Sequence, residues 1–283
     1  MTIKDFYRRL FLETKKVQVM KQLCKARKII VAAIAFIVLA ISVFAYNKVF
    51  RANVSTSSEP AEEKTATVPV VSRQSNLAES KIKNADTVAW LYLPGTEIDE
   101  AVVQARDNEY YLQRTFDKKY DIWGCYFADY INDLSGRDKL SPNTIIYGHA
   151  YRNEDPNERK FTQLFKYLDA AFIEQNPYIY LAVDGEDLVF QVCAVFFTDI
   201  SFDYIDPTPG TEFYATIAAK NEFVFEGLGI GPGDKVLTLS TCSHRYDTKN
   251  TRNHRFVVIG KLLPQDAEVQ PMEIEINPNP QRP

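Results

Sequence analysis

Two residues near the C-terminal end of the 283-residue chain are spaced to do nucleophilic chemistry, Cys242 and Arg255. Cys242 closes the run KVLTLSTC, in which strand alternation puts Val236, Thr238, Ser240 and Cys242 on one face. Arg255 opens the next run, RFVVIGKLL. Paired as a hairpin, these runs set Cys242 opposite Arg255 at the hairpin mouth. The segment between them, 243–254, has 12 residues. A hairpin ordinarily uses about two to five, and longer loops are often functional. A guanidinium beside a thiol can hold a developing oxyanion, because its fixed fork of donors needs no reorganisation. A cysteine nucleophile also needs a proton partner, and the chain has three histidines, His149, His244 and His254. His149 follows the apolar run NTIIYG and so sits where a strand gives way to a loop, while His244 and His254 flank the Cys242–Arg255 loop. Chemistry alone leaves all three open. The plain alternatives are a buried small hydrophobe for Cys242, a strand-edge cation paired with an acid for Arg255, and loop histidines without a role.

The elements that must position these groups are mostly strands. Runs at 88–93, 98–104, 123–128, 144–148, 178–183, 188–200, 235–241 and 255–263 are rich in β-branched and aromatic residues. Turn signals such as Pro94-Gly95, Asp184-Gly185 and Gly231-Pro232-Gly233 bound them. The fold class this predicts is mainly β, an eight-stranded closed or nearly closed barrel, since closure removes exposed strand edges. Helical spacing recurs at 161–174, through Phe161, Leu164, Phe165, Leu168 and Phe172, and at 212–222, through Phe213 and Ile217. Both stripes read as core-facing.

Residues 29–46 contain 18 residues without a charge, enough to cross a hydrocarbon layer of about 30 Å as a helix. Nine Lys and Arg residues precede this run, and only Lys48 and Arg51 follow before an acidic, Ser/Thr-rich stretch. The positive-inside rule then predicts a single-pass membrane protein with residues 1–28 cytoplasmic, 29–46 as transmembrane anchor and the remainder extracellular. The long basic segment ahead of the run argues against a cleaved signal peptide. Residues 47–83 read as an extracytoplasmic stalk, 84–264 as the catalytic domain, and 265–283, which lacks aromatics and ends NPNPQRP, as a disordered tail. Three cysteines, Cys125, Cys193 and Cys242, fall outside the membrane, and an odd number leaves at least one free thiol. A formal net charge of −4 gives no reason to expect nucleic-acid binding. No acidic cluster demands calcium, no cysteine spacing fits a metal site, and no other cofactor is expected.

Taken in order, TLSTC at 238–242 and NTIIYGHAY at 143–151 resemble the two signature segments of sortases. DNEYYL at 107–112, IWGCYFAD at 122–129 and the insertion at about 201–226 are similar to class B sortases. The resemblance spans about 84–263. It implies a sortase-type barrel and a Cys–His–Arg site made of Cys242, His149 and Arg255. It also implies a substrate groove at Asn108, Leu112, Tyr204, Ile205 and Ser240. The implied activity is cleavage of a C-terminal sorting signal after Thr through a thioester, with transfer to an amine of peptidoglycan or of a pilin. The implied partners are secreted proteins bearing that signal, the amine acceptor and the membrane. Two departures stand out: the 243–254 loop is long and carries a second arginine, Arg252, and position 243 is Ser where some class B members carry an acid.

Other readings fit less of the sequence. Papain-like peptidases place the cysteine early on a helix and the histidine later, whereas His149 precedes a strand-end Cys242. L,D-transpeptidases place Gly before the cysteine, where this chain has Thr241. A non-catalytic wall-assembly module would not need Cys242, His149 and Arg255 together.

Overall fold

The computed structural model describes residues 66–270 and 272–283. The predicted cytoplasmic segment, the anchor at 29–46 and the stalk up to 65 lie outside them. Among the described residues no helix is long and apolar enough to cross a membrane.

Eight strands close a barrel: β1 (Thr87–Tyr92), β2 (Asp99–Val103), β3 (Phe127–Ala128), β4 (Asn143–Tyr147), β5 (Tyr178–Val183), β6 (Glu186–Asp199), β8 (Val236–Cys242) and β9 (His254–Leu262). Their order around the barrel is β1-β2-β3-β4-β8-β9-β6-β5. The β2–β3 and β4–β8 pairs are parallel and the other neighbours antiparallel. Alternation sends Leu237, Leu239, Phe256 and Val258 into a core shared with Phe161, Phe165, Phe190 and Phe197. The opposite face of β6, β8 and β9 carries Cys193, Phe196, Val236, Val257 and Ile259. This face is covered by helix α3 (Thr211–Lys220) through Phe213, Tyr214 and Ile217, together with Tyr204. Cys242 shares its parity with Val236 and Ser240, so it opens onto this outer, insertion-covered side rather than into the barrel core.

Each of the eight predicted runs overlaps a barrel strand, with two informative differences. The 123–128 run shrinks to Phe127–Ala128 because residues 121–124 form a turn, closed by Gly124 N–H donating to the Asp121 carbonyl. Gly124 has φ +51, and a β-carbon there would lie 2.6 Å from the Tyr111 carbonyl oxygen. The single helix predicted at 161–174 divides into a 3-10 stretch, Lys160–Leu168, and α2 (Ala170–Gln175). Asp169 separates them in an extended conformation and caps α2 by accepting from Ala171 N–H.

Both ends of the predicted catalytic domain need correction. Residues 66–83 are part of the globular unit, not stalk: Thr67 bridges Glu268, and α1 (Gln74–Lys83) buries Leu77 and Ser80. The 265–283 tail is not a disordered extension. Within it, β10 (Ile274–Ile276) pairs antiparallel with β7 (Phe223–Phe225), a strand outside the barrel. Met272 and Ile274 pack on the main core, Gln281 N–H donates to the Ala219 carbonyl, and Arg282 pairs with the nearly buried Glu222. Aromatic content misled here, because strand pairing uses backbone groups that every residue except proline supplies in full. Deleting residues 272–283 removes this pairing and part of the apolar cover. The expected cost is about 2 kcal/mol, a fall in melting temperature of roughly 4–8 °C by calorimetry. An unchanged melting temperature would show that the tail contributes nothing.

Candidate active site

Cys242 sits at the last position of β8, directly across the ladder from Arg255 at the second position of β9. Ser243 N–H donates to the His254 carbonyl and closes the mouth of the hairpin. The predicted opposition of Cys242 and Arg255 across the hairpin ladder is therefore present. Arg255 Nη1 donates to the His254 carbonyl at 3.0 Å, and its side chain is only half-buried.

His149 arrives from a different part of the chain. β4 runs parallel to β8, with Tyr147 in register with Ser240, so both strands end at the same rim. Gly148 follows, and its N–H donates to the Ser240 carbonyl while its own carbonyl accepts from Thr241 Oγ1 at 2.7 Å. Only glycine fits there, since a β-carbon would lie 2.7 Å from the Phe161 ring and 2.8 Å from that of Tyr126. The His149 carbonyl accepts from Phe161 N–H, and Nε2 of its ring donates to the Leu112 carbonyl at 2.7 Å. A carbonyl can only accept, so Nε2 carries a proton and Nδ1 is left as the exchangeable nitrogen. Trp123 meets the imidazole edge-on, with ring centroids 6.4 Å apart.

One cavity of about 310 Å³ is lined by His149, Cys242 and Arg255. Asn108, Leu112, Tyr204, Ile205 and Ser240 line it as well, so all eight sequence-predicted site residues meet in one place. His244 and His254 are elsewhere, both held through Nδ1 by Asp247 at 2.7 and 3.1 Å. Their hydrogen bonds, that from His244 first, hold the Asp247 carboxyl below the usual carboxylate range against the burial that would raise it. Arg252 is exposed and does not line the cavity. Among the described residues the other two thiols are unpaired and buried, and burial pushes both Cys125 and Cys193 up to about 12. A thiol so raised is inert at neutral pH, which singles out the partly exposed Cys242.

Several groups that build the cavity were missed in the sequence. Asn143, fully buried at the start of β4, donates to the Tyr204 and Asp206 carbonyls and accepts from Thr238 Oγ1 at 2.6 Å. It thereby fixes the segment that carries Tyr204 and Ile205 against the barrel, and the Tyr204 hydroxyl completes the wall with a 2.8 Å bond to Ser240. Asp129 accepts from Asn108 Nδ2 at 2.7 Å and from the Tyr147 hydroxyl at 2.8 Å, orienting the Asn108 amide on the opposite wall. Burial, reinforced by Asp129, pushes the Tyr147 phenol up, so it remains a donor. The available signal was a polar residue inside an apolar run, as in NTIIY, since a buried amide must find partners.

Comparison with known proteins agrees with this fold. The model of the Sortase domain family matches residues 91–263. The chain is 32% identical over 184 residues to Sortase B of Listeria monocytogenes, an alignment covering 64% of this chain and 71% of that protein. It is 27% identical to Sortase B of Staphylococcus aureus with the same coverage. Among solved structures, a Staphylococcus aureus sortase B–substrate complex superposes with a TM-score of 0.57 at 26% identity, covering 67% of this chain and 85% of that one. Clostridium perfringens sortase B superposes with a TM-score of 0.56 at 26% identity, covering 66% and 99%.

Proposed function

This chain belongs to the sortase family as a cysteine transpeptidase of the sortase B type, and we propose that Cys242 is its nucleophile. The observation that carries this reading is the meeting of Cys242, Arg255 and His149, from three strand ends, in one cavity. The substrate is the C-terminal sorting signal of a secreted protein. The Cys242 thiolate adds to the carbonyl carbon of a Thr in that signal, giving a tetrahedral oxyanion. Arg255 holds that oxygen or the neighbouring substrate carbonyls. Collapse breaks the C–N bond, and the leaving amine takes a proton from Nδ1 of His149, leaving a thioester on Cys242. An amine of peptidoglycan, or of a pilin, then attacks the thioester carbon and expels the thiolate, and its surplus proton returns to His149. Asn108, Leu112, Tyr204, Ile205 and Ser240 form the groove that seats the signal. Residues 29–46 anchor the protein with its N-terminus in the cytoplasm, so the catalytic unit works at the outer face of the cell membrane, where its secreted substrates emerge.

Incubating the purified protein with a library of sorting-signal peptides and amine acceptors, with products read by mass spectrometry, tests the reading. Cleavage after Thr with the acceptor joined to the Thr carbonyl is the expected result. A library left wholly uncut would reject it. Arg255→Lys is expected to lower kcat by about 10²–10³-fold while changing KM little, because an ammonium cannot reproduce the fork aimed at the oxyanion. Steady-state kinetics on the same peptide checks this, and a loss confined to KM would reassign Arg255 to ground-state binding.

A further inference from the structure

Outside the cavity, a nearly buried carboxylate joins the loop after the cysteine to the loop after the histidine. Glu154 lies five residues beyond His149. Its Oε1 accepts from Ser243 Oγ at 2.7 Å, from His244 N–H at 2.5 Å and from Arg245 N–H at 3.1 Å. Its Oε2 lies 3.4 Å from Arg245 Nε, and its side chain is 9% exposed. The Arg245 guanidinium is itself seated 4.8 Å from the Phe197 ring centroid, which ties the group to the barrel core. Glu154 has φ +53, a left-handed conformation that a β-carbon disfavours and that the surrounding contacts must hold. On the other side of Cys242, Thr241 Oγ1 donates to the Gly148 carbonyl. The nucleophile is thus bracketed: the residue before it and the three after it are all bound to the segment that carries His149.

We infer that Glu154 is a positioning residue for Cys242, fixing the thiol relative to His149 through the backbone of residues 243–245. The inference rests on the reading of Cys242 and His149 as nucleophile and proton donor. An alternating strand fixes a side chain only while its ladder lasts, and Cys242 is the last residue of β8. Beyond it the chain turns away into a long loop, so the thiol's direction depends on what anchors that loop. A carboxylate accepting several hydrogen bonds through one oxygen is a strong anchor. It is shielded from solvent and attached to the very loop whose position matters. Displacing a reacting group by about 1 Å can cost on the order of 100-fold in rate, which is the scale of effect available to such a residue.

The test compares the wild-type full-length protein with Cys242→Ala, Glu154→Ala, Glu154→Gln and Ser243→Ala, measuring kcat and KM for peptide transfer and the melting temperature of each. Glu154→Ala is expected to lower kcat by on the order of 10- to 100-fold with KM unchanged within about twofold. Glu154→Gln keeps an acceptor oxygen and should recover most of the activity. Ser243→Ala should lower kcat less, and adding it to Glu154→Ala should cost little more, since both remove the same contact. A Glu154→Ala enzyme with wild-type kcat, a loss carried by KM, or a Gln variant as impaired as Ala overturns the inference. If Glu154→Ala does not fold, Ser243→Ala decides: a drop in kcat supports the inference and an unchanged kcat overturns it. Activity remaining in Cys242→Ala would instead overturn the underlying assignment of the nucleophile.

Discussion

Cys242→Ala is expected to eliminate thioester formation and lower transpeptidation by at least about 10⁴-fold, because the residues that line the cavity include no second thiol for the covalent route to fall back on. The structure excludes the obvious substitutes. Cys125 and Cys193 are buried, with thiols pushed up to about 12 by desolvation, and neither lines the cavity. Ser240 lies two residues from Cys242 on the same strand face, but its hydroxyl is buried and engaged with Tyr204. A thiol-reactive substrate analogue read by intact mass should add once to the wild type and to Cys125→Ala and Cys193→Ala. It should not add to Cys242→Ala. Labelling that survives in Cys242→Ala would move the chemistry to another residue.

His149→Ala is expected to lower kcat by about 10²–10⁴-fold, the usual contribution of a positioned proton donor. The ring is held by the Leu112 carbonyl at Nε2 and flanked by Trp123. Removing it therefore deletes the proton exchanged at Nδ1 without opening the barrel core. The other two histidines serve as the internal comparison. His244→Ala and His254→Ala break contacts to Asp247 and should loosen the 243–254 loop while retaining most turnover. Kinetics of all three variants on one peptide, with thermal melts to separate folding from chemistry, makes the comparison. Equal losses in the three would remove any special role from His149.

The Cys242–Arg255 pairing was legible because it is local. Alternation with a period of two and a hairpin ladder fix which residues oppose one another, and both can be read along 29 consecutive residues, 235–263. The choice among the histidines was not legible in that way. All three follow or flank strands; the strand-end position leaned toward His149 without excluding the others, and resemblance to a family decided for it. The structure places it beside Cys242 because β4 and β8, 93 positions apart at Tyr147 and Ser240, lie parallel and in register. No pattern within either strand encodes that neighbour. The tail shows the opposite failure. Its composition predicted disorder, yet Ile274–Ile276 is ordered by the exposed edge of β7, a partner 51 residues earlier.

By itself the sequence determined the strand content, the face on which Cys242 lies and its opposition to Arg255, while the five groove positions came only from the family resemblance. These follow from local periodicity and from motifs that lie in one stretch of chain. Barrel closure decided what those motifs could do together. It brought His149 to the cysteine and set Asn143 against the Tyr204 segment. It also placed the Glu154 carboxylate beneath the loop that Cys242 begins. The physical reason is that hydrogen bonds and packing between distant segments depend on register and closure, which are properties of the whole sheet and not of any strand in it.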